Sequence, residues 1–191
     1  TLFRSIDEER REKDQLVARA ERDSLTGLLN SETTRLRIGQ QLDALAGGER
    51  GALLVVDVDC FKDVNDTHGH LVGDLVLADI ARILRENFRI GDVVGRLGGD
   101  EFMVYLDRVG STDVVLGKCD RLRRAVERHE YPGTDCRVTI SVGVVLAHAG
   151  DTFDDLYGRA DEALYAAKRD GRNRCGLADG ALRSPKAAPA P

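Results

Sequence analysis

Tryptophan is absent from the 191 residues and methionine occurs once. No apolar run approaches the roughly 18 residues of a transmembrane helix, and no signal-peptide pattern opens the chain. The four cysteines, Cys60, Cys119, Cys136 and Cys175, include no CxxC pair, which excludes a zinc half-site or thioredoxin-type motif. They read as free thiols of a reducing compartment. Excess positive charge is missing too: 28 Lys and Arg face 33 Asp and Glu, a net −5. That is a poor footprint for a nucleic-acid polymer binder, although it leaves room for a local basic pocket. A GxxxxGK[ST] loop and a GxSxG elbow are both absent, which argues against a P-loop ATPase and an α/β-hydrolase. His68 and His70, on either side of Gly69, lack the spacing of a helical zinc pair.

What is present is ordinary globular composition, 42% hydrophobic and 32% charged. Residues 1–22 are set apart by the charge run Asp7 to Asp14. They read as a linker helix, either solvated or pairing in a dimer. The tail from Asp179 holds three of the four prolines and cannot bury enough apolar surface to order itself. The chain begins at Thr1, which points to a piece of something longer. The expected organisation is a linker at 1–22, one domain at 23–178 and a tail at 179–191.

Within the domain, strand and helix patterns intermix. Ser31 is expected to cap a helix running to about Ala46. Ala52 to Val56 is a continuous apolar run ending in Asp57-Val58-Asp59, the pattern of a strand buried on both faces. Val76, Leu77, Ile80, Ala81, Leu84 and Phe88 recur at helical spacing. Val93–Leu97 and Phe102–Leu106 form a hairpin about Gly98-Gly99. Ser111 opens a helix to about Glu130, and Arg137–Leu146 alternates as a strand. Thr152 caps a helix that stops near Gly171. The pattern implies an α/β fold with a mixed central sheet flanked by helices.

Carboxylates stand at the turns beside these strands: Asp57 and Asp59 after one, Asp100 and Glu101 in the hairpin. Taken singly, such acids are usually solvated turn residues. Two acidic strand ends side by side would make an oxygen site suited to Mg²⁺, with substrate phosphates completing its shell. Lys168 and Arg172, at i and i+4, are expected on one helix face; cations also favour a helix C-terminus without any ligand.

Four blocks then carry a resemblance. They are Asp23-Ser24-Leu25-Thr26-Gly27-Leu28-Leu29-Asn30; Asp57-Val58-Asp59-Cys60-Phe61-Lys62 continuing through Asn65, His70 and Asp74; Arg96-Leu97-Gly98-Gly99-Asp100-Glu101-Phe102; and Ala160-Asp161 through Tyr165 and Lys168 to Gly171-Arg172-Asn173-Arg174. In this order and spacing the chain resembles the GGDEF domains, the diguanylate cyclases, across about residues 23–175. Ser31 departs from the family pattern, where Arg is common, and Cys60 stands where an aromatic or His is common.

The resemblance implies a GGDEF-type fold, akin to nucleotidyl cyclases and polymerase palms. It implies condensation of two GTP into cyclic di-GMP with release of two pyrophosphates. By motif position Asp57, the Val58 carbonyl, Asp100 and Glu101 would hold Mg²⁺, with Mn²⁺ as a substitute. Asp100 or Glu101 would take the 3′-hydroxyl proton, a choice the sequence leaves open. Lys62, Lys168 and Arg172 would neutralise phosphate charge. Asn65 and Asp74 would read guanine, with His70 beside the nucleotide; the competing reading of Asp74 is a helix N-cap after Gly73. Arg89 and Asp92 stand in the RxxD position of a product-inhibition site, or form a simple turn ion pair; Arg121 and Arg124 are candidates for further contacts there. Implied partners are GTP, cyclic di-GMP as product and allosteric inhibitor, a second copy of the chain, and an N-terminal sensor domain. The domain itself is expected in the cytoplasm, in a protein that could be membrane-anchored elsewhere. The competing reading is a non-catalytic module that only binds GTP or cyclic di-GMP.

Overall fold

A computed structural model describes residues 20–135 and 137–178. The proposed linker, except for its last three residues, and the proposed tail at 179–191 lie outside them. The elements in chain order are α1 (Ser31–Asp43), β1 (Arg50–Val58), α2 (Phe61–His68), α3 (His70–Asn87), β2 (Val93–Gly98), β3 (Glu101–Leu106), α4 (Thr112–Arg128), β4 (Ile140–His148), α5 (Phe153–Arg169) and β5 (Cys175–Leu177). No helix among the described residues is long and apolar enough to cross a membrane.

The strands form one sheet in the order β2-β3-β1-β4-β5. The contacts of β1 with β3 and β4 and of β2 with β3 are antiparallel, and β4 with β5 is parallel. The sheet is therefore mixed, as the sequence pattern implies. β1 lies at its centre and is buried from Gly51 to Val58. Its period-two alternation feeds two separate cores. Leu54 and Val56 pack with Val76, Ile80 and Leu84 of α3 and with Val115, Cys119 and Leu122 of α4. Leu53 and Val55 pack with Ile38 and Leu42 of α1 and with Leu156, Ala160 and Leu164 of α5. Each of the Val, Leu and Ile side chains among them contributes about 1.5–3 kcal/mol through burial. Three layers result, and the odd-numbered residues of β1 face α5.

Local signals set the helix ends. Ser111 and Thr152 cap α4 and α5, accepting from the Val114 and Asp155 N–H groups. The cap of α1 is Asn30 rather than Ser31: extended Asn30 accepts from the Thr33 N–H at 2.9 Å, and Ser31 is the first helical residue. Both are good capping residues, so local preference alone does not rank these neighbours correctly. α1 also ends three residues early, at Asp43. β4 starts at Ile140 rather than Arg137, and β5 has no counterpart in the sequence pattern. A three-residue strand is too short to show periodicity.

α5 lies unusually close to the sheet. A Cβ on Gly143 would stand 1.9 Å from the Ala160 carbonyl oxygen and 2.6 Å from the Leu164 nitrogen. Both obstacles are backbone and cannot rotate away. Gly143→Ala should therefore destabilise the domain by about 3 kcal/mol or more, read as a lower denaturant midpoint. A loss below about 1 kcal/mol would show that α5 can lift from β4 at little cost.

Candidate active site at the sheet end

The strand register brings the acids together. Asp57 of β1 stands opposite Glu101 of β3, and on its other side opposite Ser141 of β4. The Val58 N–H donates to the Asp100 carbonyl at 3.2 Å, tying the hairpin turn to the end of β1. The turn itself needs Gly99, whose φ of +52° lies in the left-handed region. Asp57 and Glu101 have the same parity on their strands as Leu53 and Val55 and as Met103 and Tyr105. Both therefore face α5. From α5, Lys168 reaches down and places its ammonium 2.7 Å from Asp57 Oδ2.

The electrostatics follow from crowding. Burial raises the Asp57 pKa; Lys168 opposes that, and Asp100 and Asp59 add to it. Burial likewise raises Glu101, reinforced by Asp57 and Asp100 and offset by Lys168. Among the described residues, no three His, Cys, Asp or Glu side chains form a group able to hold a metal by themselves. Mg²⁺ does not require such a cage, because it typically takes one or two carboxylates and fills its octahedron with phosphates and water. The donor set, two or three mutually repelling carboxylates and a strand-end carbonyl, fits that cation. A divalent ion would offset the burial and the like charges that raise both acids.

Asp59 behaves differently. Buried just beyond β1, it accepts from the Thr139 hydroxyl at 2.7 Å, the Ser141 hydroxyl at 2.6 Å and the Asn173 N–H at 3.0 Å. Its carboxylate is spent on the fold, and the sequence, in which it stands beside Asp57, does not tell the two apart.

The remaining candidates lie on α2, on α3 and in the turn after α5. Cys60 adopts φ +55° as β1 turns into α2, and Lys62 is exposed on the first turn of that helix. The Asn65 carboxamide lies over Gly73, where a Cβ would approach its oxygen to 2.0 Å. That close contact holds α2 against α3. Asp74 is exposed within α3, whose N-cap position is Gly69, so Asp74 is not a helix cap. His70 is exposed at the start of α3, and His68 lies 3.7 Å from Asp135. Arg172 is not the helical i+4 partner of Lys168. α5 stops at Arg169, Gly171 has φ +113°, and Arg172 comes after it in a left-handed turn.

The Arg89–Asp92 turn lies apart from these residues. Arg89 Nε is 3.1 Å from Asp92 Oδ1, and its guanidinium also donates to the Asp107 carbonyl. The Asp92 side chain is 1% exposed, with Lys118 4.0 Å away. A ligand approaching this turn meets Arg89 first; Asp92 orients Arg89 from below. Arg124 on α4 is exposed and paired with Asp120, and Arg121 is exposed beside it.

Two of the motif blocks meet through a pair whose contact the sequence does not show. Arg96 donates from Nε and Nη2 to the Gly99 carbonyl at 3.1 and 2.7 Å, and its Nη1 lies 3.1 Å from Asp23 Oδ1. Asp23 is fixed in turn by the Thr26 hydroxyl and N–H. This strut props the Gly98-Gly99 turn against the first motif block. Burial pushes the Asp23 pKa up, but Thr26 and Arg96 outweigh it and hold the carboxyl below its ordinary value. A carboxyl lowered by folding stabilises above its unfolded pKa of about 3.9 and loses that contribution as pH falls through the lower folded value. Asp23→Asn should be about 1 kcal/mol less stable than wild type at pH 7, and the gap should close below about pH 4. Urea midpoints of both proteins at pH 7 and about pH 3 measure it; an equal gap at both would remove the charge from the explanation.

The family model described as diguanylate cyclase, GGDEF domain, matches residues 20–174. Diguanylate cyclase DgcM of Escherichia coli K12 is 38% identical over 174 residues, covering 91% of this chain and 42% of its own length. Diguanylate cyclase A of Treponema denticola is 39% identical over 139 residues, covering 71% of this chain and 37% of its own. The chain thus spans less than half the length of these relatives. Among solved structures, the coiled coil and GGDEF domain of DgcB from Caulobacter crescentus in complex with c-di-GMP superposes with a TM-score of 0.84 at 30% identity, covering 92% of this chain and 95% of that one. Diguanylate cyclase SiaD of Pseudomonas aeruginosa, in complex with its activator SiaC, gives 0.77 at 36% identity, covering 91% and 69%. With the family model matching most of its length, with the acids facing one another at the sheet end and Lys168 upon them, this chain belongs to the GGDEF domain family of diguanylate cyclases.

Proposed function

We propose that this domain condenses two GTP molecules into cyclic di-GMP, in a pair of chains related by a two-fold axis. The observation that carries the reading is the Asp57–Glu101 register pair with Lys168 2.7 Å from Asp57, because it concentrates acids and a cation where two motif blocks meet. Bound there, Mg²⁺ would neutralise the triphosphate and polarise the α-phosphate. Asp57, the Val58 carbonyl, Asp100 and Glu101 are the groups that would hold it.

The chain's own residues supply the rest. Lys62, Lys168 and Arg172 balance phosphate charge, including the charge that builds on the departing pyrophosphate. Asn65 and exposed Asp74 read guanine: a carboxylate at Asp74 accepts from N1–H and the 2-amino group, a donor pair that adenine lacks. His70 lies beside the nucleotide. In each step a ribose 3′-oxygen bonds to the other nucleotide's α-phosphorus, the bond to pyrophosphate breaks, and the hydroxyl proton passes to Asp100 or Glu101. The product has two identical halves while each chain carries one set of these residues, so two chains meeting face to face is the simplest geometry.

Product inhibition is part of the same proposal. Exposed Arg89, oriented by buried Asp92, offers its fork to guanine or phosphate acceptors. A ligand there inhibits only by favouring an unproductive arrangement of the two domains.

Two outcomes test these readings. Asp100→Ala should fold normally and lose about a hundredfold or more of GTP-dependent pyrophosphate release with Mg²⁺. Retention of a tenth of wild-type rate would remove Asp100 from the metal site, and a wild type that binds GTP without releasing pyrophosphate would favour a regulatory module instead. Arg89→Ala should keep its initial rate and weaken inhibition by added cyclic di-GMP. Progress curves with and without product compare the two proteins, and equal inhibition refutes the site.

A further inference from the structure

Gly171, Arg172 and Asn173 adopt φ of +113°, +60° and +49° in succession. Glycine enters this region freely, and Asn tolerates it; for Arg it is uncommon. Such a run persists only where its surroundings over-determine it. Here they do. The Arg172 N–H donates to the Ala167 carbonyl at 3.1 Å, closing the end of α5. The Arg172 carbonyl accepts from Arg174 Nε at 3.2 Å. The Asn173 N–H donates to buried Asp59 at 3.0 Å, and the Arg174 carbonyl accepts from the Val142 N–H at 2.9 Å, where β5 joins the sheet.

The Asn173 side chain adds a second set of ties. Its amide donates to Glu127 Oε1 at 2.6 Å, and its oxygen accepts from Arg123 Nη1 at 3.0 Å. Arg123 is itself clamped by Asp120 and Glu127 on α4. The backbone on either side of Arg172 is thus anchored, to α4, to β4 and to the acid two residues beyond Asp57. The Arg172 side chain, in contrast, is exposed and has no ion-pair partner among the described residues.

We propose that Asn173 is a positioning residue: with Asp59, Arg123 and Glu127 it forms a brace that holds Arg172 preorganised as an unpaired cation for the nucleotide's phosphates. The inference rests on the cyclase reading only for what Arg172 contacts. The physical advantage is entropic. An exposed Arg on a loose loop loses backbone and side-chain freedom when it binds phosphate, whereas one on a fixed backbone has already lost the first part. Asp59, a neighbour of the metal-ligand candidates in sequence, acts instead as the floor of this brace.

The test uses Asn173→Ala, Asn173→Gly, Arg172→Ala and the double variant Arg172→Ala/Asn173→Ala, with unfolding midpoints to verify that each is folded. Two readouts are taken: kcat/KM for pyrophosphate release from GTP, and the Kd of 3′-deoxy-GTP, which binds but lacks the attacking hydroxyl. Asn173→Ala should weaken both about tenfold, and Arg172→Ala at least as much. The double variant should match Arg172→Ala within about twofold, because the brace has no other route to the substrate. Asn173→Gly should retain more function than Asn173→Ala, since it keeps access to positive φ although it has fewer atoms. Additive losses, or wild-type values in Asn173→Ala, overturn the brace. A wild type that binds 3′-deoxy-GTP without turning over GTP overturns the cyclase reading and leaves the brace to be decided by the binding series. A wild type that binds no 3′-deoxy-GTP overturns both.

Discussion

The 2.7 Å contact between the Lys168 ammonium and the buried Asp57 carboxylate is the interaction on which the candidate site depends. A carboxylate at the end of a strand buried on both faces costs several kcal/mol unless a counter-charge meets it. Here the counter-charge comes from α5, and α5 can deliver it only because its backbone lies on β4 at Gly143. Packing and electrostatics are therefore one requirement. The same glycine that lets the helix approach sets the distance over which Lys168 must reach.

Strand parity decides which acids belong to the site. Asp57 and Glu101 lie opposite each other, and both point to the α5 face. Asp59, only two residues further, leaves the strand and finds the Thr139 and Ser141 hydroxyls and the Asn173 N–H. Three donors satisfy its charge without a cation. Asp57, with a single cation against it and two further acids nearby, keeps an unmet demand for positive charge. That difference in satisfaction, rather than the residue type, separates a candidate metal ligand from a structural anchor.

The turn between β2 and β3 is supported in a similar way from outside. Asp23 and Arg96 are 73 residues apart, and the guanidinium between them carries the Gly99 carbonyl. A two-glycine turn is flexible on its own. Fixing it by a charge-assisted bond holds the turn from which Asp100 and Glu101 follow, which a site built on opposed carboxylates needs. Electrostatic preorganisation of this kind works only if the groups do not have to be moved into place when the substrate arrives.

Much of this architecture is legible in the sequence. The apolar run before Asp57, the helical spacing from Val76 to Phe88 and the Gly98-Gly99 hairpin arise from hydrophobic period and turn chemistry, and these are local properties. The four motif blocks named the family because their order and spacing are one-dimensional facts. Tertiary structure alone decided the features that depend on contact between distant parts of the chain. It chose Asn30 over Ser31 as the cap, took Arg172 off the helix face of Lys168, buried Asp92 beneath Arg89, and gave Asp57 and Asp59 different partners. Local merit did not separate the alternatives in these cases; packing and long-range partners did. A sequence read along its length records residue types and spacings; it does not record which distant donor or charge will satisfy a given side chain, and that satisfaction is what sets one aspartate apart from its neighbour.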